Sequence, residues 1–299
     1  MPQIIILGEA CLDVELCLSK LRTKQKLVNT YRVVPGGSAG NVAMTLKSYG
    51  VGLRLYTPSG GDYVEKILKE MLDSLRMADD VVYVRGSGQT CLVTHVVSGS
   101  RRYVYTYRGP THTSLKSVLN ELDLKHTRIF HISGYGLELF PDSEVREFIN
   151  IVKNSGVMLS FDLFPRIDLL SPEFVKYLLQ NVDLLFGNEL EFKILSDLLE
   201  GLTPKTLSVE KPDRHVIVKM GGRGACLYIK GRKHCFKPPK VRVVSSRGAG
   251  DVLVATFLKD LLIGVEAIEA LSDSVEVASQ HVAGEGPLNK FIKRLSNWG

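Results

Sequence analysis

Cysteine is sparse in this chain of 299 residues. Its five cysteines (Cys11, Cys17, Cys91, Cys226 and Cys235) are odd in number, scattered, and form no C-x-x-C pair. That pattern argues against a disulfide framework or a zinc site, and a reducing cytoplasm is the simplest compartment. Long apolar runs are missing too, since spanning a bilayer takes roughly 18 residues or more. The N-terminal apolar stretch is short and follows no basic segment, so it reads as a buried strand rather than a signal peptide. Repeats, low-complexity segments and long linkers are absent. There is no Gly-x-x-x-x-Gly-Lys-Ser/Thr loop and no glycine loop of the protein-kinase type after the first strand, which argues against both of those nucleotide sites.

The charge present is thinly spread. A net charge of +6 and a pI of about 9.0 accompany 23% charged and 44% hydrophobic residues, an ordinary balance for one or two globular domains. The densest basic run is Lys20, Arg22, Lys24 and Lys26. It has no interleaved aromatics for base stacking, so it reads as a solvated loop or strand face rather than a nucleic-acid groove. A small anionic ligand accounts for the charge better, and neither nucleic acid nor membrane is expected as a partner.

The most informative stretch is Arg247-Gly248-Ala249-Gly250-Asp251, followed by the helical apolar pattern of Val252, Leu253, Val254, Phe257, Leu258, Leu261 and Leu262. A glycine-lined turn at a helix N-terminus presents unpaired N–H groups and a favourable dipole to an anion. An aspartate in that first turn is stabilised as carboxylate. Anion donors beside a base are what phosphoryl transfer to a hydroxyl requires. A helix cap or close packing would also explain the glycines alone.

Runs that read as buried strands alternate with helical patterns. The strands are Ile4–Leu7, Leu53–Thr57, Arg128–Ile132, Val157–Phe161, Val182–Phe186 and Val216–Lys219. The helices are Asn41–Tyr49, Val64–Leu75, Ser143–Asn154, Pro172–Leu179 and Glu189–Leu199. This alternation predicts a three-layer α/β/α fold with a mainly parallel central sheet. Ligands are then expected at the carboxyl ends of its strands. Cys11–Leu18 with Val28–Val34, and Cys91–Val97 with Arg101–Tyr107, show two-residue alternation instead. They read as a small β-sheet lid formed by residues 11–34 and 91–108, with Ser98-Gly99-Ser100 as a hairpin turn. Residues 1–10, 35–90 and 109–299 form the main domain in this reading.

Four stretches stand in a telling order: Pro35-Gly36-Gly37-Ser38-Ala39-Gly40-Asn41, Asn188-Glu189-Leu190-Glu191, Lys219 with Gly221-Gly222-Arg223-Gly224, and Gly248-Ala249-Gly250-Asp251. Together they resemble the ribokinase-like sugar kinases of the PfkB family over essentially residues 3 to 290. The resemblance implies an ATP- and Mg²⁺-dependent phosphotransferase acting on a sugar hydroxyl, commonly a homodimer clasped through its lids. It implies Asp251 as the base, with the amides of Gly248, Ala249 and Gly250 as the anion hole and Arg247 beside them. Asn188, Lys219, Gly221, Gly222, Gly224, Gly248 and Gly250 would face the nucleotide, and Glu191 would help hold Mg²⁺ through water. Asn188 also suits a plain helix cap.

On the substrate side, Asp13, Gly36, Gly37 and Asn41 match sugar-binding positions. Tyr103 to Gly109, with Tyr105 and Arg108, resembles the lid strand of 2-keto-3-deoxygluconate kinases. Phe161 to Arg166 resembles the Asp-Pro-Asn-x-Arg segment of acid-sugar and fructose kinases. Two arginines in one pocket suit a carboxylate, although Arg166 could instead pair with Asp168. 2-Keto-3-deoxygluconate is therefore the leading substrate, with fructose or another hexose next, then a nucleoside. Ser245-Ser246-Arg247 stands where the family usually has Asp-Thr-Thr, which puts a monovalent-cation site in doubt. That departure also keeps open a catalytically silent sugar or nucleotide sensor.

Overall fold

The computed structural model describes residues 1–18, 27–99, 101–111, 113–122 and 124–297. The basic run from Lys20 to Lys26 and Ser100 of the hairpin turn lie outside the described residues. Thirteen strands are described. They are β1 (Ile4–Leu7), β2 (Cys11–Leu18), β3 (Val28–Gly36), β4 (Leu53–Ser59), β5 (Val81–Arg85), β6 (Leu92–Ser98) and β7 (Arg101–Tyr107), followed by β8 (Ile129–Ser133), β9 (Met158–Asp162), β10 (Leu184–Asn188), β11 (His215–Lys219), β12 (Ala225–Ile229) and β13 (Arg232–Phe236).

Nine of them form one sheet in the order β13-β12-β11-β10-β9-β8-β1-β4-β5. It is parallel from β11 to β5. The β11–β12 and β12–β13 pairings are antiparallel. Side chains alternate across a strand, and β1 serves both faces: Ile4 and Ile6 enter one core, Ile5 and Leu7 the other. Being buried on both sides is why β1 reads as an unbroken apolar run. Helix Ala249–Leu262 packs in the first core through Val252, Val254, Phe257 and Leu258.

The remaining four strands form a separate sheet in the order β3-β2-β6-β7. The pairs β2–β3 and β6–β7 are antiparallel hairpins, and β2–β6 is parallel. All seven residues of β7 are exposed, as is β3 from Val28 to Arg32.

The cysteine expectation fails. Cys11 is joined to Cys91, and Cys226 to Cys235, while Cys17 is free. The register makes both pairs. Leu12 lies beside Leu92 in the β2–β6 ladder, which brings the preceding cysteines together across 80 residues. Cys226 and Cys235 are direct cross-strand partners. Neither juxtaposition leaves a sequence-local signature, so spacing could not show it. The cysteine argument for a reducing compartment goes with it. No helix among the described residues is long and apolar enough to cross a membrane.

Candidate active site

Five neighbouring strands of the large sheet deliver polar residues at their carboxyl ends. Glu9 follows β1, Ser133 ends β8, Asp162 ends β9, Asn188 ends β10 and Lys219 ends β11. Ser133 lies beside Asp162 in the ladder, and Asn188 beside Lys219. Parallel register thus aligns these groups along one edge, where open α/β sheets collect ligands.

Two helices point their N-termini at that edge. One is Ser38–Ser48, entered through Gly37 at φ 81°; the other is Ala249–Leu262, entered through Gly248 at φ 75°. Both glycines occupy the left-handed region that favours glycine. Asp251 joins the two helices: Ser38 Oγ donates to its Oδ1 at 2.9 Å and Asn41 Nδ2 to its Oδ2 at 2.8 Å. The Ala249 amide donates to the Ser246 carbonyl at 3.3 Å, and the first intrahelical bond runs from Val252 to Gly248. A helix start leaves its next amides, Gly250 and Asp251, without an intrahelical acceptor. Lys219 Nζ would lie 3.8 Å from a Cβ added at Gly250, so an ammonium flanks the open amide.

The charges here are crowded. Lys219 Nζ donates to both carboxylate oxygens of Asp162, at 2.6 and 2.8 Å. Burial disfavours the ammonium, but Asp162 and Glu191 outweigh it and hold Lys219 above the ordinary lysine range. Burial pushes Asp251 up to about 6, against the opposing pull of Asn41 and Lys219. Burial likewise lifts Glu9 and Glu191 to about 7. Glu9 accepts from the Ser38 amide at 2.9 Å and from Ser133 Oγ at 3.2 Å. Asn188 and Glu191 form a reciprocal capping box, Asn188 N to Glu191 Oε2 at 2.7 Å and Glu191 N to Asn188 Oδ1 at 2.9 Å. No group of three or more His, Cys, Asp or Glu residues suited to holding a metal occurs among the described residues.

Beside this edge lies a cavity of about 740 Å³. Asn188, Lys219, Gly221, Gly222, Gly224, Ala249 and Gly250 bring polar groups and bare backbone to its lining, and Val243, Val275, Ala278 and Val282 bring apolar side chains. Gly222 has open space where a Cβ would stand, and Gly224 sits at φ 92° with a Cβ position 1.9 Å from the Phe236 carbonyl oxygen. A lining that combines an ammonium and open amides with apolar side chains can take a ligand that is anionic in one part and apolar in another.

The pfkB family carbohydrate kinase model matches residues 1–293. The chain belongs to the PfkB family. It is a carbohydrate kinase, a phosphotransferase with a hydroxyl acceptor. A 5-dehydro-2-deoxygluconokinase of Clostridium perfringens is 24% identical over 287 residues, covering 87% of this chain and 83% of that one. The ribokinase structure from Thermotoga maritima superposes with a TM-score of 0.77 at 23% identity, covering 100% and 99% of the two chains. A ribokinase of Arabidopsis thaliana complexed with ribose and ATP gives 0.74 at 22% identity, covering 98% of each. The sheet order and the separate small sheet are thus those of a ribokinase-like fold.

Of the residues expected on the acceptor side, Asn41 is hydrogen-bonded to Asp251, and four others fall in two places. Asp13 lies against Gly36, where a Cβ would stand 2.4 Å from its Cγ, and Arg247 Nη1 approaches Asp13 Oδ2 at 3.7 Å. Arg108 and Arg166 converge on Glu138: Arg108 is ion-paired with it, and Arg166 Nη2 lies 3.6 Å from its Oε2. Glu138, rather than Asp168, is therefore the partner of Arg166. Tyr105 stands exposed on β7. A Cβ at Gly248 would face Asn41, His281 and Leu288, and Gly248 is not among the residues lining the cavity of about 740 Å³. The sequence reading assigned no role to Glu9, Ser38, Ser133, Glu138 or Asp162. Asp162 carries a usable signal, since a carboxylate directly follows the apolar run Val157–Phe161, whereas Gly8 separates Glu9 from the run Ile4–Leu7.

Proposed function

We propose that this PfkB kinase transfers the γ-phosphate of ATP to a hydroxyl of an acid sugar, with 2-keto-3-deoxygluconate as the leading acceptor. The observation that carries the reading is the Asp251 carboxylate at the open start of its helix, held by Ser38 and Asn41 and flanked by Lys219. Asp251 accepts the proton of the attacking hydroxyl. The hydroxyl oxygen bonds to the γ-phosphorus, and the bond to the β–γ bridging oxygen breaks, leaving ADP. A base with a pKa of about 6 is ionised at neutral pH yet close enough to it to take a proton well. The Gly250 amide and the Lys219 ammonium stabilise charge on the moving phosphoryl group. Glu191 and Asp162 offer the hard oxygen donors that suit Mg²⁺ held through water, and such an ion would neutralise phosphate charge. Closure of the small sheet over the acceptor would exclude water.

The acid-sugar assignment rests on the convergence of Arg108 and Arg166, and it agrees in chemistry with the name of the Clostridium perfringens relative. One observation favours a neutral hexose such as fructose instead: Glu138 already occupies the arginine pair. An ADP-release assay with ATP, Mg²⁺ and a panel of acid sugars, neutral sugars and nucleosides separates the two. The acid-sugar reading predicts fastest turnover on 2-keto-3-deoxygluconate and a lower KM for it in Glu138→Gln, where no internal carboxylate competes. Fastest turnover on a neutral sugar, unaffected by Arg166→Ala, contradicts it. Consumption of ATP supports a cytoplasmic setting, and the exposed face of the small sheet supports a homodimer.

A further inference from the structure

Arg247 precedes the helix start that carries Asp251, yet its side chain turns away from the nucleotide cavity. Its backbone is anchored to the large domain: the carbonyl lies 2.6 Å from His281 Nε2, and the amide donates to Ser245 Oγ at 3.3 Å. Its guanidinium crosses to the small sheet. Nη1 stands 3.7 Å from Asp13 Oδ2 and 3.6 Å from Glu15 Oε2, two residues that share a face of β2. His95 Nε2 approaches the same Oδ2 at 3.5 Å, and Arg102 Nη2 lies 3.0 Å from His95 Nδ1.

These separations are ion-pair distances, too long for good hydrogen bonds. Asp13 Oδ1, His95 Nε2 and Arg247 Nη1 are accordingly buried without a hydrogen-bond partner among the described residues. The Asp13 and His95 side chains are each 7% exposed. Leaving a buried polar atom unsatisfied is costly, so three gathered around one carboxylate group need an explanation. A charged donor and a charged acceptor with unmet capacity fit one small group well: an alcohol, whose oxygen accepts while its hydrogen donates. Gly36 allows the geometry, because any Cβ there would collide with the Asp13 carboxylate.

We propose that Arg247 is a specificity-determining residue of the acceptor site, binding with Asp13 and His95 one hydroxyl of the sugar. The inference rests on the reading of this site as a sugar kinase. Arg247 also touches Glu15, so the hydroxyl it binds is read at the seam between small sheet and phosphoryl-transfer loop. A sugar lacking that hydroxyl leaves the three groups unmet and is rejected, since sites built around a buried hydrogen bond discriminate strongly.

The test compares wild type, Arg247→Thr, Arg247→Lys and His95→Asn on the best acceptor of the panel and on its monodeoxy analogues. Arg247→Thr should raise the acceptor KM roughly 10–100-fold, the loss expected for a hydrogen bond to a charged group, and Arg247→Lys should recover part of it. The KM for ATP should stay within about twofold. One deoxy analogue should be poor for wild type yet lose no further ground in Arg247→Thr. An unchanged acceptor KM with a raised KM for ATP would place the guanidinium on the phosphates and overturn the inference. If Arg247→Thr melts early, His95→Asn carries the same comparison: loss of discrimination against that analogue supports the inference, and full retention overturns it. Wild-type turnover tests the kinase reading separately; a wild type that phosphorylates no sugar overturns both.

Discussion

Burial and neighbouring carboxylates resist the charge that Asp251 needs to act as a base. Its pKa of about 6 stands above the unperturbed value of 3.8. A carboxyl group raised in the folded state binds its proton more tightly there than in the unfolded chain. Its stabilising contribution is therefore full below pH 3.8 and is lost as pH rises through about 6. Asp251→Asn removes that titration. The variant should melt roughly 2–4 °C above wild type at pH 8, because the amide buries no charge but can accept from only one of Ser38 and Asn41. The gap should shrink as pH falls towards 4; calorimetry showing a lower or pH-independent difference would contradict the electrostatics described. The acidic limb of kcat/KM should fall below pH about 6, as Asp251 takes up its proton. The glycine turn before Asp251 reads from the sequence as a helix start, and only the other three stretches, in order along the chain, point it beyond a plain helix cap. Glu138 was not legible in the sequence, because its significance comes only from two arginines distant in sequence meeting there.

At the scale of elements, the Cys11–Cys91 bond ties the first residue of β2 to the residue preceding β6, at the root of the small sheet beside Asp13. A bond closing a loop of this length removes unfolded-state entropy worth about 4 kcal/mol. Cys91→Ser should lower the denaturant midpoint and raise the acceptor KM, because the strand carrying Asp13 loses its tether. An unchanged midpoint and KM would leave the bond without a role in positioning the sheet. Strand β1 was read to the residue and the other five central strands to within two residues, since buried parallel strands are continuous apolar runs. The hairpin from β12 to β13 was missed. Its turn, Lys230-Gly231, has both residues at positive φ, 49° and 73°. Lysine there gives no signal of the kind that Asn-Gly does.

Over the whole molecule, the exposed surface of the small sheet stands out. Tyr31, Tyr103, Val104, Tyr105 and Tyr107 are exposed on its two outer strands, Tyr31 by 74% and Tyr105 by 63%. An edge strand left open with large apolar side chains is a surface for pairing. A second copy of the chain suits it, and sedimentation at micromolar concentration should show a dimer that Val104→Lys converts to monomer. A wild-type monomer would rule out that assembly. The alternation of strands and helices made the three-layer architecture readable, and the two interruptions of that rhythm marked the small sheet. The two disulfides were hidden because only the folded register brings their partners together.

The most direct test is the turnover number of Asp251→Asn, with saturating ATP, Mg²⁺ and the best acceptor. Loss of a positioned base predicts a kcat lower by roughly 10²–10⁴-fold, with the acceptor KM within about threefold of wild type. A kcat within a factor of about ten of wild type would contradict the account, because the carboxylate joining the two helix starts would then not be the base.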